Sequence, residues 1–362
     1  MIGQESDGRD RCLMSRWTDK KLREQRISRQ RKRRTLARRE RERIRRRHLA
    51  KSSRRTEKSQ QLKGRTIATG YNLTFPAELD FADHLDKALD FFSDLRTLVD
   101  EVRPRAIRID HSALQRISPA AALVLIAEVF RGVEVLDRCR WGGNAAANAE
   151  VHELLGEAGY WKYFKGIDWK KSSNKSRQYL QHKTGNRTSG QTVKEVIQHF
   201  LPELMVPEES KKVLYPALVE CMDNVMKHAY HVRERDQPYY HRWWLLAYRD
   251  PATHELSFCF YDQGLGIPKT IRVRFQDRLG PLSAKDSELI AKAVVEGHFS
   301  STRDPTRGRG LPTLKRFIDV ARAGELMIVS HKSRCIFSRP LSENSDFDKR
   351  FNGTLIIWRL QN

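Results

Sequence analysis

The chain lacks the features that mark secreted and membrane proteins. Its five cysteines are scattered, without the close pairs of a disulfide framework or a zinc site. The longest apolar run, residues 120–127, is far shorter than the roughly 20 residues that span a bilayer. The charged N-terminus also lacks the apolar segment of a secretory signal. These absences predict a cytoplasmic protein that has no membrane association.

Glycine, proline and aromatic residues are scarce in the N-terminal arm, predicted to cover residues 1–68. Residues 16–63 contain no Gly or Pro, and Trp17 is their single aromatic residue. Residues 1–65 hold 25 of the 68 Lys and Arg but only 8 of the 45 Asp and Glu, so most of the net charge of +23 belongs to the arm. We expect it to be disordered, or helical when bound to something acidic. Three interpretations stay open: nucleic-acid binding through phosphates, docking on an acidic protein partner, and a solvated spacer.

Apolar patterning begins after the arm. Residues 81–102 have helical spacing, residues 106–112 alternate like a strand, and residues 117–136 form a predicted helix that Ser118 and Pro119 begin. A turn and a further helix follow over residues 140–164. This order resembles the sulfate-transporter and anti-sigma-antagonist (STAS) domain, which implies a small α/β domain over residues 69–166. The resemblance places Ser118 where such domains can be phosphorylated, but the family's Asp-Ser pair is absent and an N-cap role explains Ser118 better.

A polar segment rich in Ser, Asn and Gly, residues 167–190, is predicted to be a linker. The next predicted helix contains LYPALVECMDNVMKHAYHV. Glu220, Asn224 and His228 follow at four-residue intervals and so share one helical face, with Lys227 beside them. Asn224 suits Mg²⁺, Lys227 suits a phosphate, and Glu220 can orient or deprotonate water. The alternative is a surface helix with a polar stripe.

Two strands are predicted in HRWWLLAYRD and HELSFCFYDQG, joined by an Asp-Pro turn. The second strand ends at Asp262, and Gly264 and Gly266 permit a tight turn against a ligand. A buried carboxylate at a strand end can accept a hydrogen bond from the exocyclic amino group of adenine, although a loop turn also explains the pattern. In FSSTRDPTRGRGLPTLKRFIDVA, Gly308 and Gly310 begin a helix whose backbone N–H groups suit phosphate.

Four motifs thus follow one another: ECMDNVMKHAY (motif 1), DQGLGI (motif 2), GRGL (motif 3) and the GT of KRFNGTLIIWRL (motif 4). Their order and spacing resemble the N, G1, G2 and G3 boxes of the GHKL superfamily (gyrase, Hsp90, histidine kinase, MutL), and motif 1 is closest to the anti-sigma-factor serine kinases. The resemblance implies that residues 191–362 form an α/β sandwich of the Bergerat type with a mixed sheet, which binds ATP and Mg²⁺. It implies Glu220 as general base, Asn224 as Mg²⁺ ligand and Asp262 as the residue that recognises adenine. The other predicted nucleotide-binding residues are Lys227, His228, Gly264, Gly266, Ile267, Thr302, Arg307, Gly308, Arg309, Gly310, Leu311 and Thr354.

The resemblance also implies an ATP lid over residues 268–307, expected to be a long loop that orders on binding. Trp243 and Trp244 are predicted to be packing residues of a strand, and residues 340–350 a loop between the last two strands. The predicted function is that of a Mg·ATP-binding regulatory protein with a protein partner, which hydrolyses ATP slowly as a conformational switch. The alternatives are a serine/threonine kinase of the anti-sigma-factor type and a non-catalytic, ATP-gated interaction module.

Overall fold

The computed structural model describes residues 66–67, 70–167, 182–200, 208–231, 234–250, 253–279, 284–297, 310–321, 324–339 and 342–360. Nearly all of the predicted arm, and the predicted site residues Thr302, Arg307, Gly308 and Arg309, lie outside these ranges. The described part is α/β with parallel and antiparallel strand pairs, as predicted. None of its helices is both long enough and apolar enough to cross a membrane.

The N-terminal half is built on a sheet in the order β1-β2-β4-β6, with β3 and β5 as a small separate pair. Its strands are β1 (Thr66–Ile67), β2 (Gly70–Thr74), β3 (Glu78–Leu79), β4 (Ala106–Asp110), β5 (Arg116–Ile117) and β6 (Arg140–Gly143). Its helices are α1 (Leu85–Thr97), α2 (Pro119–Val135) and α3 (Ala149–Glu157). Strands β2, β4 and β6 are parallel, and α1 and α2 are the crossovers that parallel neighbours require.

Helix α2 begins where the sequence indicates, whereas α1 begins at Leu85 within the helical pattern of residues 81–102. The Ser118 Oγ accepts a hydrogen bond from the Ala121 N–H (3.3 Å) at the start of α2, and Pro119 occupies the first turn. Asn148 caps α3, because its Oδ1 accepts from the N–H groups of Glu150 (2.9 Å) and Val151 (3.2 Å). The turn predicted before α3 contains strand β6 in addition, which the short Arg-Trp-Gly-Gly sequence does not signal.

The C-terminal half is built on a second sheet, in the order β10-β11-β9-β8-β7. Its strands are β7 (Lys183–Gly185), β8 (Trp243–Arg249), β9 (Leu256–Asp262), β10 (Glu325–Ser338) and β11 (Ser342–Leu360). Its helices are α4 (Gly190–Phe200), α5 (Glu208–Asn224), α6 (Ile267–Leu279), α7 (Asp286–Val295) and α8 (Gly310–Ala321). Every described pairing in this sheet is antiparallel, whereas a mixed sheet was predicted. The mixed sheet of this chain is the N-terminal one.

Three expectations about loops are wrong in part. The predicted linker contains β7, which pairs with the edge of β8. The predicted lid loop contains α6 and α7, which pack together through Ile271 and Leu289. The predicted loop 340–350 is the first half of β11 from Ser342 on, paired with β10. All three segments have mostly polar sequences, and pairing or packing partners far along the chain determine their structure.

The C-terminal sheet is buried on both faces. On one face, Phe258 and Phe260 lie in a core formed with α4, α5 and α8, and the Trp358 indole N–H donates to the Leu314 carbonyl (3.1 Å). On the other face, Trp244 packs against Phe130 of α2, with ring centroids 5.2 Å apart. The N-terminal helices therefore cover the second sheet, and Arg65–Asn362 forms one compact unit.

Candidate functional site

Motif 1 lies at the end of α5, where the helix changes its geometry. Glu220 and Asn224 are in the α-helix, and their side chains form a hydrogen bond. The next five residues, Val225–Ala229, form a π-helix. A π turn contains more residues than an α turn, so the spacing from Asn224 to His228 is not the α-helical spacing assumed from the sequence. Lys227 is 60% exposed and forms an ion pair with Asp223 (2.6 Å).

Glu220 is the point where motifs 1 and 3 meet. Burial and the nearby Asp223 carboxylate raise the pKa of Glu220, and Lys227 and Asn224 lower it by less. Gly310 begins α8 directly against this carboxylate: a Cβ at Gly310 would overlap the Glu220 side chain. Helix α8, which carries motif 3, can therefore contact Glu220 of α5 only because residue 310 has no side chain.

Asp262 ends β9 and is 5% exposed. Its Oδ1 accepts a hydrogen bond from the Gly264 N–H (2.8 Å), and its carboxylate also bonds the Thr354 side chain. Burial raises the pKa of Asp262 to about 7, although these two hydrogen bonds and the charge of Arg96 act to lower it. An ionised Asp262 is therefore costly in the folded protein and would be stabilised by a further hydrogen-bond donor.

The glycines of motifs 2 and 4 allow the loop after β9 to pack closely against the neighbouring backbone. A Cβ at Gly264 would overlap the Ala229 carbonyl at the end of motif 1, and one at Gly353 would overlap the Asp262 carbonyl. Gly353 also has a φ of 101°, and Gly266 has a φ of 84°, a backbone region that favours glycine. Motifs 1, 2 and 4 therefore meet at Asp262.

Ser330 on β10 is a site residue that the sequence analysis missed. Its Oγ accepts a hydrogen bond from the Ile267 N–H (3.0 Å) and donates to the Gly353 carbonyl (3.0 Å). It also lies 3.2 Å from the Thr354 Oγ1, so one hydroxyl connects motifs 2 and 4. The available signal was a serine at the end of the apolar sequence LMIV, because a hydroxyl buried in a strand needs a partner.

The two predicted apolar lining residues also come together. Ile267 and Leu311 are half-buried, and both pack against the small cluster of Ile271, Leu289 and Ala293. This cluster joins α6, α7 and the start of α8. The structure thus brings Glu220 and the predicted residues of motifs 2 and 4 together with Gly310 and Leu311 of motif 3, whereas Lys227 points to Asp223 at the surface.

Asp286 at the start of α7 is a second feature that the sequence did not indicate. Its carboxylate bonds the Arg272 guanidinium, the His331 ring and the Lys332 N–H, the last at 3.1 Å. Burial acts to raise the pKa of Asp286, but the hydrogen bonds and charges of Arg272 and His331 outweigh burial and leave it lowered. These contacts fasten α6 and α7 to β10, beside Ser330.

A buried ionic network, with Glu128 at its centre, is the third such feature. Glu128 of α2 binds Arg96 of α1, and it also bonds Tyr261 and Gln263, which flank Asp262. The sequence signal was a carboxylate directly after the longest apolar run, residues 120–127.

Among the described residues, no group of three or more His, Cys, Asp or Glu side chains is arranged to hold a metal ion. No protein-family model matches the chain, and no curated protein is significantly similar to it.

Proposed function

We propose that residues 191–362 bind Mg·ATP in the manner of the GHKL superfamily, and that the protein is a regulatory ATPase that hydrolyses ATP slowly. The observation that carries the proposal is the meeting of the four motifs in space. Motif 3 touches motif 1 at Gly310 and Glu220, and motifs 2 and 4 touch each other at Asp262 and Gly353. Gly264 of motif 2 in turn touches Ala229 of motif 1, so contacts link motifs that lie up to 133 residues apart, from Glu220 to Gly353.

The architecture supports both proposed fold families in part, since the described pairings of the second sheet are antiparallel where a mixed sheet was expected. An antiparallel sheet with α4, α5 and α8 on one face supports a Bergerat-type sandwich for residues 191–362. Parallel strands β2, β4 and β6 with α1 and α2 as crossovers support a STAS-like fold for residues 69–166. The proposal also includes a cytoplasmic location, a protein partner, and nucleic acid as a candidate ligand of the arm.

The residues present suit adenine and a hydrated magnesium ion. A carboxylate has about four lone-pair positions, and Gly264 and Thr354 occupy two of those on Asp262, which leaves capacity for the adenine amino group. Asn224 would offer its amide oxygen to Mg²⁺. Glu220, whose pKa is raised by burial, would take a proton from the attacking water. The start of α8 would direct N–H groups towards phosphate.

The structure favours hydrolysis over transfer of phosphate to Ser118. The Ser118 hydroxyl caps α2 and forms a hydrogen bond with the buried Asp80, so a phosphate there would sacrifice both contacts. Transfer of phosphate to the protein itself is the kinase alternative that the experiment below distinguishes from hydrolysis.

Three measurements on the full-length protein test the proposal. Calorimetry with ATP and GTP under the same Mg²⁺ should show binding of ATP and weak binding of GTP, because guanine presents an acceptor to Asp262 where adenine presents a donor. Phosphate release should be slow but measurable. A parallel assay with radiolabelled ATP should show no label on the protein. Equal affinities for ATP and GTP would exclude the assigned role of Asp262, and label on the protein would support the kinase alternative.

A further inference from the structure

Glu128 is a carboxylate that α2 places in the interior of the molecule. It is 2% exposed, and it directly follows the apolar run of residues 120–127. Arg96 forms a bidentate ion pair with it: the Arg96 Nε lies 2.8 Å from Glu128 Oε2, and the Arg96 Nη2 lies 2.6 Å from Glu128 Oε1. Burial acts to raise the pKa of Glu128, but Arg96 outweighs burial and leaves the pKa lowered, so Glu128 is ionised. A buried ion pair of this kind contributes little net stability and calls for another explanation.

Two further donors reach the same carboxylate from the C-terminal half. The Tyr261 hydroxyl lies 2.7 Å from Glu128 Oε1 and 2.8 Å from the Asn352 carbonyl, and its single hydrogen can serve one acceptor at a time. The Gln263 Nε2 lies 2.9 Å from Glu128 Oε1 and 3.2 Å from the Ala127 carbonyl. Both amide hydrogens of Gln263 are therefore directed to α2.

Gln263 is the residue between Asp262 and the turn glycine Gly264. Its own N–H donates to the Tyr230 hydroxyl (3.1 Å), and its α-carbon lies against Gly353. The loop has little freedom here, because Gly264 is in contact with Ala229. A displacement of Gln263 consequently displaces Asp262 and the turn that follows it.

We propose that Glu128 is a positioning residue for the loop of residues 262–266, so that the N-terminal half of the protein sets the nucleotide affinity of the C-terminal half through the Glu128–Gln263 hydrogen bond. The expected effect on ATP affinity rests on the proposed function. The effect of Glu128 on the position of residues 262–266 does not rest on it and can be measured without nucleotide. By linkage, ATP binding should in turn stabilise the packing of α2 on the sheet.

The test uses a variant that removes the connection without leaving a buried charge unpaired. Arg96→Met/Glu128→Leu replaces the ion pair by apolar side chains of similar size, an exchange that is often neutral or stabilising. It removes one positive and one negative charge together, but with Arg96 it also removes a charge that lowers the pKa of Asp262, an effect that the uncharged substitution Gln263→Leu does not have. Gln263→Leu is the second variant, because it removes the connection from the side of the loop. Tyr261→Phe is the matched control: it also removes a hydrogen bond to Glu128 Oε1, but residue 261 is held in place by the strand ladder.

Hydrogen exchange of the full-length variants without nucleotide gives the first readout. The amides of residues 263–266 should exchange at least about tenfold faster in both test variants than in the parent and in Tyr261→Phe. Amides of β10 at Glu325–Ser330 should be unchanged in all four proteins. Unchanged exchange in residues 263–266 of folded test variants would overturn the proposal, whatever the protein does with ATP.

Calorimetric ATP affinity gives the second readout. It should fall about tenfold in both test variants while the melting temperature of Arg96→Met/Glu128→Leu stays close to that of the parent. Parental ATP affinity in both variants would overturn the coupling and leave the proposed function intact. If the parent binds no ATP but the loop amides respond as expected, the proposed function fails and the positioning role of Glu128 stands.

Discussion

The buried carboxylate of Asp262 is expected to lower the stability of the folded protein while it contributes to ATP binding. Its pKa rises from 3.8 to about 7 on folding because it is buried. The unfolded chain thus releases this proton at lower pH than the folded protein does. The contribution of Asp262 to stability therefore decreases as the pH rises from about 4 to about 7, and stays unfavourable above that. At about 1.36 kcal/mol per pKa unit, the cost is about 4 kcal/mol at most.

Replacing Asp262 by Asn should therefore make the protein more stable and a poorer ATP binder. Asparagine keeps an oxygen for the Gly264 N–H but has no charge to bury. We expect a higher melting temperature at pH 8, a much smaller gain at pH 4.5, and ATP binding weakened by about 1.5–3 kcal/mol. Thermal melts at the two pH values and calorimetry at pH 8 measure these effects. A lower melting temperature at pH 8 would contradict the assignment of a raised pKa.

Glu220 and Asn224 are neighbours on α5 that should respond differently to substitution. Glu220→Ala should retain ATP affinity, or improve it by removing a negative charge near the phosphates, while hydrolysis falls by about 10²–10⁴-fold. Asn224→Ala should lose the Mg²⁺-dependent part of ATP affinity. Both variants are compared with the parent by calorimetry and phosphate release at the same Mg²⁺ concentration. Hydrolysis at the parental rate in Glu220→Ala would show that Glu220 is not the base.

At the scale of whole elements, the contact between α5 and α8 depends on Gly310. A Cβ at this position overlaps the Glu220 carboxylate, so Gly310→Ala must move a helix or the proposed base. We expect a loss of about 1–3 kcal/mol in the free energy of unfolding, the usual cost of overpacking, together with weaker ATP binding. Denaturant titration and calorimetry measure the two effects.

Gly142→Ala is the matched control for that substitution. Gly142 also lies in a regular element, β6, but a Cβ there would meet no atom within 4 Å. It should leave both stability and ATP affinity close to parental values. If Gly310→Ala behaves in the same way as Gly142→Ala, motif 3 does not pack against Glu220 as described.

At the scale of the whole molecule, the charge is divided between the arm and the rest of the chain. Residues 1–65 carry 25 Lys and Arg against 8 Asp and Glu, and the first described strand begins at Thr66. If the arm binds nucleic acid through phosphates, affinity should fall steeply between about 50 and 200 mM salt. Deletion of residues 1–65 should abolish that binding and leave ATP affinity unchanged. Fluorescence anisotropy with labelled RNA and DNA measures the first effect, and binding that persists after the deletion would exclude the arm.

The sequence by itself determined several local elements, and it selected the four motifs of the proposed site. Ser118 and Pro119 indicated where α2 begins, and Leu256, Phe258 and Phe260, which alternate in HELSFCFYDQG, indicated strand β9. Asp262 at the end of that strand was likewise predicted correctly. Caps, turns and hydrophobic periodicity are short-range properties, and they act within a few residues of each other.

Only the tertiary structure decided what covers the second sheet, how the predicted lid is folded and which buried charges are paired. Strand β7 within the expected linker and the helices α6 and α7 depend on pairing or packing partners elsewhere in the sequence. The same is true of Glu128, whose sequence context shows a carboxylate next to an apolar run but does not show Arg96 or Gln263 beside it. Burial of a charge is decided by compensation across the fold, and a local pattern contains no information about where the compensating group will lie.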